Sequence, residues 1–221
     1  QFILGPEVSK LESKLAKYVG AEYCITCSSG TDALFIALLA KGIGKGDAVL
    51  TTPFTYIATA EVISLVGATP IFVDISETTF NINAQLIPKG IEYAYKMKLN
   101  PKAIIAVDLF GLPADYYAIE EYCADLFIIE DAAQSFGSSI GKKMACTFGG
   151  ISTTSFFPSK PLGCYGDGGA IFTDDEDLAM IMKSIRVHGS GSDKYENIRI
   201  GINGRLDTFQ AAILLEKLSI F

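Results

Sequence analysis

Apolar residues follow two patterns along this chain: stripes that recur every three or four residues, and short runs in which most positions are apolar. The stripes are typical of helices that bury one face, and the runs are typical of strands in a covered parallel sheet. Helices are therefore predicted at 7–19, 33–41, 53–66, 90–99, 113–125, 174–187 and 206–221. Strands are predicted at 23–27, 48–52, 70–73, 103–107, 126–130, 151–157 and within 166–173. This alternation predicts an α/β fold with a mainly parallel sheet and helices on both faces.

A small polar turn, Ser-Ser-Gly-Thr-Asp at 28–32, separates the first predicted strand from a helix. Free backbone N–H groups and the positive end of the helix dipole converge at such a junction, so the turn can cradle a phosphate. A simple N-cap by Ser28, Ser29 or Thr31 explains the same residues equally well. The turn by itself leaves both interpretations open.

A single lysine, Lys160, follows the strand-like run 151–157 in a segment rich in proline and glycine. Apolar and aromatic neighbours would strip water from its amine, lower its pKa and suit it to forming a Schiff base with an aldehyde. Taken alone, a lysine in such a loop is more often a surface residue. Its interpretation therefore depends on the residues that accompany it.

Two other strand ends carry side chains suited to a flat ligand. Asp131 follows the apolar strand 126–130, and open α/β sheets bind ligands at the carboxyl ends of their strands. The alternative for Asp131 is a cap or turn residue. Phe54 and Tyr56 lie at a strand-to-helix junction, where aromatic side chains either stack on a ring or pack in the core.

Length, composition and charge limit the classes of protein to which this chain can belong. The chain has 221 residues, of which 49% are hydrophobic, and a formal net charge of −7. This length and apolar content suit one domain with a large core, and the acidic balance disfavours nucleic acid or an anionic membrane as a partner. No apolar run approaches the length of a membrane span. A soluble, cytoplasmic protein is the expectation.

Cysteine and histidine usage argues against a disulfide framework or a metal site. The five cysteines are widely spread, and the chain has one histidine. Cys24 and Cys27 resemble a redox or zinc pair, but residues three apart on a strand point to opposite faces. We therefore interpret both as core residues and predict no metal site.

Six ordered motifs together resemble the DegT/DnrJ/EryC1/StrS aminotransferases, a sugar-modifying branch of the fold-type I pyridoxal-phosphate enzymes. They are GPEVSKLE from Gly5, CSSGTDAL from Cys27, PFTYIATAE from Pro53, IIEDAAQSFG from Ile128, TSFFPSKPLGCYGDGGAIF from Thr154 and GINGRLDTFQAAILL from Gly201. The resemblance covers essentially the whole chain. It implies a cofactor-binding large domain over 1–205, with 206–221 beginning the helix that leads to a small C-terminal domain. That domain, and some residues before Gln1, are expected to be missing.

The resemblance also implies roles for individual residues around pyridoxal 5′-phosphate. Lys160 matches the lysine that holds the cofactor as an imine and then moves the substrate proton. Asp131 matches the carboxylate that faces the pyridine nitrogen, Gln134 the residue beside the ring, and Tyr56 the aromatic that stacks on it. The residues that match the phosphate cradle are Gly30, Thr31, Asp32 and Ser155.

Two further matches imply a dimer. Asn203 and Arg205 correspond to residues that reach into the neighbouring subunit's site, Asn203 toward the cofactor and Arg205 toward the substrate. An obligate homodimer with shared active sites is therefore expected.

The implied reaction transfers an amino group from L-glutamate to a keto-sugar nucleotide. The most similar members of the family act on UDP-2-acetamido-2-deoxy-3-oxo-glucuronate. They aminate its C3 during the synthesis of bacterial surface polysaccharides. Amination at C4 of a UDP- or dTDP-4-keto-6-deoxy sugar is the alternative, as is a truncated member without catalysis. The dehydratase branch of the family, in which histidine replaces the lysine, is excluded by Lys160.

Overall fold

The structure is a computed structural model that describes residues 1–123, 125–193 and 195–221. Its helices are α1 (Pro6–Val19), α2 (Gly30–Ala40), α3 (Ala58–Leu65), α4 (Ile87–Lys96), α5 (Tyr116–Tyr122), α6 (Glu176–Ile185) and α7 (Thr208–Leu218). Its strands are β1 (Tyr23–Cys27), β2 (Asp47–Thr51), β3 (Thr69–Phe72), β4 (Asn100–Val107), β5 (Phe127–Asp131), β6 (Ser139–Ile140), β7 (Lys143–Met144), β8 (Ile151–Ser155) and β9 (Gly169–Thr173). Short 3-10 turns lie at Ala84–Leu86 and Leu109–Gly111.

Seven strands of the described residues form one sheet in the order β1-β9-β8-β5-β4-β2-β3. The pairs β3–β2, β2–β4, β4–β5 and β5–β8 are parallel, whereas β9 runs antiparallel to both of its neighbours. The mainly parallel sheet is confirmed. Because β9 alone is reversed, its start lies at the edge where the other six strands end.

Helices cover both faces of the sheet, as the alternation predicts. One face packs against α2, α3 and α6, and the other packs against α1 and α7 at one end and α4 and α5 at the other. Cys24 and Cys27 are buried on opposite faces, which confirms their interpretation as core residues. Among the described residues, no helix is long and apolar enough to cross a lipid bilayer.

The bounds of several predicted helices are wrong. Helix α3 begins at Ala58 rather than at residue 53, because the Thr52 hydroxyl accepts the Phe54 N–H and residues 53–57 stay irregular. Helix α4 begins at Ile87 and ends at Lys96, since Pro88 fits the first turn. Helix α7 covers Thr208–Leu218 only, and the Phe221 ring packs beside Tyr18 and Phe136.

Other differences concern short elements. The helix predicted over 113–125 begins at Tyr116, where Asp115 caps it, and residue 124 lies outside the described residues. The hairpin β6–β7 has two residues in each strand, too few for an alternating pattern to predict it. Strand β8 ends at Ser155, two residues earlier than expected.

A buried ion pair fastens α1 to the end of α6. Arg186 Nη1 lies 2.6 Å from Glu12 Oε1, and the two side chains are 9% and 15% exposed. The same carboxylate oxygen accepts the Thr26 N–H and hydroxyl, both at 2.9 Å. Removing one partner would leave a buried charge unpaired.

We therefore expect Glu12→Gln to lower the free energy of unfolding by about 3 kcal/mol. Glu92→Gln is the matched control, since Glu92 pairs with Lys96 on an exposed helix surface and such pairs add little. Urea unfolding of both variants measures the difference. Equal losses would contradict a buried, stabilising pair.

Candidate active site

A cavity of about 560 Å³ opens at the edge of the sheet where the parallel strands end. Segments that follow β1, β2, β5 and β8 all line it, together with Gly168 just before β9. The parallel topology explains this convergence, because the carboxyl ends of parallel strands meet at one edge. Residues far apart in sequence therefore share one site.

The N-terminus of α2 forms one wall of the cavity. Ser29 has an extended backbone, and its side chain accepts the Asp32 N–H at 3.0 Å as an N-cap. Ser29, Gly30 and Thr31 line the cavity. The first turn of a helix has backbone N–H groups without intrahelical partners and carries the positive end of the dipole. The N-cap interpretation is confirmed for Ser29, and the phosphate cradle stays a prediction that this cap does not exclude.

Gly30 and Gly169 lie behind this wall at positions where the backbones pack too closely for a side chain. A Cβ added to Gly30 would lie 2.7 Å from the Ser155 Cβ, and one added to Gly169 would lie 2.4 Å from the Ser29 carbonyl oxygen. Both distances are shorter than real Cβ contacts. The two glycines allow the start of α2 to approach the ends of β8 and β9 and to bring Ser155 into the cavity wall.

We expect Gly30→Ala to weaken this wall. The added methyl would push α2 away from Ser155, at a cost of about 1–3 kcal/mol for overpacking, and would lower affinity for a phosphate-bearing ligand. Gly44→Ala is the matched control, since its Cβ would meet only the Val66 carbonyl oxygen at 3.5 Å. Thermal unfolding with and without the ligand separates the two losses; unchanged affinity would exclude a cradle here.

Asp131 lies buried at the end of β5. Its Oδ2 accepts the Thr59 hydroxyl at 3.0 Å, and its Oδ1 accepts the Ala133 N–H at 3.2 Å. Burial raises the pKa of this carboxyl, while these two hydrogen bonds and the charge of Lys160 lower it. A carboxylate in this position favours a cationic group placed opposite it.

Lys160 lies on the loop between β8 and β9 and lines the same cavity as Asp131. The loop is fixed by backbone bonds, among them Lys160 N–H to Phe157 O at 2.8 Å and Cys164 N–H to Phe156 O at 2.7 Å. Helix α7 fixes the same loop near Tyr165, because the Gln210 side-chain amide forms hydrogen bonds with both the N–H and the carbonyl of Tyr165, at 2.9 and 3.2 Å. The lysine is therefore placed by a rigid loop.

The structure gathers seven of the ten predicted site residues in this cavity. They are Gly30, Thr31, Tyr56, Asp131, Gln134, Ser155 and Lys160. Gln134 also accepts the Phe110 N–H at 3.1 Å, and Tyr56 is 71% exposed at the mouth. The roles of these residues stay predictions.

Three predicted residues do not line the cavity of their own chain. The Asp32 carboxylate accepts the Ser28 hydroxyl within the turn. Asn203 is exposed and pairs with Val187 in an isolated bridge. Arg205 keeps a buried Nε that has no hydrogen-bond partner within the described residues.

Other residues of the cavity were not predicted. Thr59 is the main omission, since its hydroxyl bonds Asp131 and lies 3.3 Å from the Thr55 hydroxyl. The spacing of four residues between these threonines is typical of neighbours on a helix. It does not predict a contact with Asp131. The further lining residues with polar side chains are Ser29, Ser159 and Asp167.

An aromatic cluster adjoins residues of the cavity, since Phe54 precedes Thr55 and the Phe110 N–H bonds Gln134. The Phe54 ring lies 5.8 Å from Phe80 and 6.4 Å from Phe110, measured between centroids. Phe54 is 47% exposed, so the alternative that places it in the core is excluded. Asn81 is buried and links the segments that carry Phe80 and Phe110. Its side-chain NH₂ donates to the Leu112 carbonyl oxygen, and its side-chain oxygen accepts the Leu109 N–H.

Comparisons with known proteins show which sequences and structures this chain is similar to. The curated relative UDP-2-acetamido-2-deoxy-3-oxo-D-glucuronate aminotransferase of Pseudomonas aeruginosa is 53% identical over 223 aligned residues, which cover 100% of this chain and 60% of the relative. A DegT DnrJ EryC1 StrS aminotransferase from Brucella abortus has a crystal structure that superposes with a TM-score of 0.96 at 53% identity, covering 100% of this chain and 60% of the other. The chain thus spans about 60% of the length of these relatives.

A more distant structure carries the cofactor in its aminated form. NtdA from Bacillus subtilis, with bound cofactor PMP, superposes with a TM-score of 0.87 at 37% identity and covers 99% of this chain and 49% of its own. The family model described as DegT/DnrJ/EryC1/StrS aminotransferase family matches residues 1–221, and the aminotransferases of that family use pyridoxal 5′-phosphate. With its fold and its whole sequence matching, this chain belongs to the DegT/DnrJ/EryC1/StrS aminotransferase family.

Proposed function

We propose that this protein is a pyridoxal-phosphate-dependent aminotransferase that moves an amino group from L-glutamate to a keto-sugar nucleotide. The observation that carries the proposal is the placement of Lys160 and Asp131 in one cavity beside the N-terminus of α2. A lysine, a buried carboxylate and a phosphate cradle are the three groups that an aldehyde cofactor with a pyridine ring and a phosphate requires.

The residues present fit this cofactor. The close approach of Gly30 to Ser155 leaves a wall of amides and hydroxyls for the phosphate. Asp131, whose own hydrogen bonds keep it fixed, can hold a proton on the ring nitrogen. Tyr56 and Gln134 lie on the same cavity and can contact the ring. When bound, the cofactor supplies an electron sink and a carrier for the amino group.

Lys160 has two tasks in this proposal. Its amine would hold the cofactor, and once free it would move a proton between the substrate carbon and the cofactor. The loop contacts from Phe157 and from α7 limit how far the amine can move. Such positioning is what makes a general base effective.

For the sugar, we propose a UDP-2-acetamido-2-deoxy-3-oxo-glucuronate aminated at C3. The support is the name of the Pseudomonas aeruginosa relative at 53% identity. The product would serve bacterial surface polysaccharide synthesis, O-antigen or lipopolysaccharide. Amination at C4 has no comparable support in the relatives described above.

We further propose a homodimer in the cytoplasm whose active sites are shared. Asn203 is exposed and Arg205 has an unpaired Nε within the described residues, and neither lines the cavity of its own chain. Asn203 is thus available to a neighbouring subunit, and Arg205, which is partly exposed, can be reached through the part of its side chain beyond the buried Nε. A monomer by sedimentation at assay concentration would contradict this part.

The test begins with the protein and pyridoxal 5′-phosphate. We expect a visible absorption band that decreases when L-glutamate is added. Adding the 3-oxo sugar nucleotide should then restore the band and yield an amino sugar detectable by mass spectrometry. A 4-keto sugar nucleotide is the matched control for the position of amination. A band that never responds to glutamate or other amino donors would favour the non-catalytic alternative.

A further inference from the structure

Two carboxyl groups lie buried side by side below the active-site edge, and the proposed chemistry uses neither. Asp108 follows β4 and Glu130 lies on β5; both residues are 0% exposed. Asp108 accepts the Tyr116 hydroxyl and Glu130 accepts the Phe148 N–H, and the rings of Tyr116 and Phe148 stack on each other, so both carboxyl groups belong to one buried cluster. Neither forms an ion pair with a cation of the described residues. Like charges so close in a buried site disfavour each other, which favours a proton on one of the two.

The partners of Glu130 suit a carboxylate. Its Oε1 accepts the Cys146 N–H at 2.7 Å, and its Oε2 accepts the Phe148 N–H at 2.8 Å and the Ser152 hydroxyl at 2.6 Å. Backbone N–H groups can only donate, so they stabilise the ionised form. Glu130 is thus the better acceptor of the pair.

The partners of Asp108 tolerate a proton. Two of its three contacts are the hydroxyls of Tyr116 at 2.8 Å and Ser135 at 2.6 Å, and the third is the Ala114 N–H at 2.9 Å. A hydroxyl can rotate and act as donor or acceptor. The Tyr116 hydroxyl also has a second acceptor, the Ala106 carbonyl oxygen at 3.3 Å.

We propose that Asp108 carries a proton that it donates to Glu130, and that this neutral acid positions Asp131 and Gln134. The Asp108 N–H donates to the Asp131 carbonyl oxygen at 3.1 Å, and Glu130 directly precedes Asp131. The Asp108 side chain holds Ser135, the neighbour of Gln134. The protonated pair places one negative charge, rather than two, below the carboxylate that faces the cavity. The positioning half of the proposal rests on the proposed function.

The surroundings of the pair reinforce this state. Burial and the charge of Glu130 raise the pKa of Asp108 well above its usual range. Tyr116 and Cys146 are the other titratable groups beside the pair, and burial together with the charges of Asp108 and Glu130 raises the pKa of each. Asp131 directly follows Glu130, and burial raises its pKa as well. The stacked rings of Tyr116 and Phe148, 4.8 Å apart at 4°, cover the same region.

The pH dependence of stability tests the proton without cofactor or substrate. An acid whose pKa is raised by folding binds more protons in the native state, so stability is lost as pH rises toward the folded pKa. We expect the folding equilibrium constant of the wild type to decrease as the pH rises from 5 to 8. In Asp108→Asn this decrease should be smaller, by a factor of up to about ten for each pH unit. Glu77→Gln, at an exposed position, should leave the wild-type slope. Equal slopes for Asp108→Asn and wild type would overturn the proposal.

A second measurement covers the case in which Asp108→Asn does not fold. In protein labelled with carbon-13 at aspartate carboxyls, in an Asp131→Asn background, one aspartate signal should keep the protonated chemical shift at pH 7. Spectra in which every aspartate is ionised would overturn the proposal.

Positioning is tested by affinity for pyridoxal 5′-phosphate. Asp108→Ala should weaken binding by about tenfold, as loss of supporting hydrogen bonds does at other sites, and Asp108→Asn should bind within about twofold of the wild type, since the amide can still donate to Glu130. Unchanged affinity in Asp108→Ala would overturn the positioning role. If no variant and no wild type binds the cofactor, the proposed function fails while the pH experiment still stands.

Discussion

Lys160→Ala should abolish the visible band of the protein loaded with pyridoxal 5′-phosphate and lower turnover by about 10³-fold or more. The methyl group offers no amine for covalent attachment and no base near the substrate carbon. The cavity should survive, because the loop is fixed by backbone bonds such as Cys164 N–H to Phe156 O. Absorbance spectra and single-turnover rates measure the two losses separately.

Lys142→Ala is the control for this variant, since Lys142 is exposed on the turn between β6 and β7. It should keep both the band and the rate. Circular dichroism and unfolding curves should show that Lys160→Ala is folded. A full band in Lys160→Ala would mean that another lysine carries the cofactor, and the proposed function would need a different site.

Asp131→Asn should fold and yet lose about 10²–10⁴-fold in kcat. The amide has no negative charge to keep a proton on a ring nitrogen, although its oxygen can still accept a hydrogen bond from Thr59 or Ala133. Without cofactor the variant should be at least as stable as the wild type at neutral pH, because burial makes the ionised carboxyl costly. Steady-state kinetics and urea unfolding test the two statements.

Asp177→Asn provides the matched control, because Asp177 is an exposed carboxylate on α6. Its kcat should equal that of the wild type. Thr59→Val should lie between the two variants, since it removes one of the hydrogen bonds that lower the pKa of Asp131. Asp131→Asn with a near-normal kcat would exclude the assigned role of this residue.

Several tertiary features could be predicted because they follow from local patterns. The apolar runs predicted the strands that enter the sheet, and the polar residues at their carboxyl ends predicted the edge where the cavity lies. Cys24 and Cys27 were predicted as core residues from the pleat of the strand. The boundaries were less predictable: α3 begins five residues late, because a single Thr52 hydroxyl bond competes with the helix start.

Long-range contacts had no signature in the pattern. Thr59 and Asp131 are 72 residues apart and meet only because β2 and β5 end at the same edge. Glu130 on β5 and Asp108 just after β4 likewise come together because these two strands are neighbours in the sheet. The hydrogen bonds between Gln210 and Tyr165 form only because α7 packs beside the loop that carries Tyr165.

The sequence by itself determined the alternation of elements and the family, and its motifs predicted the lysine and the acid proposed for the cofactor, because all of these depend on residue type and spacing along one segment. The order of the strands, the reversal of β9 and the shared proton of a buried acid pair were decided only by the tertiary structure. They arise from packing between segments far apart in the chain, which desolvates some groups and pairs others. The same side chains in an unfolded chain would have neither these partners nor their shifted pKa values.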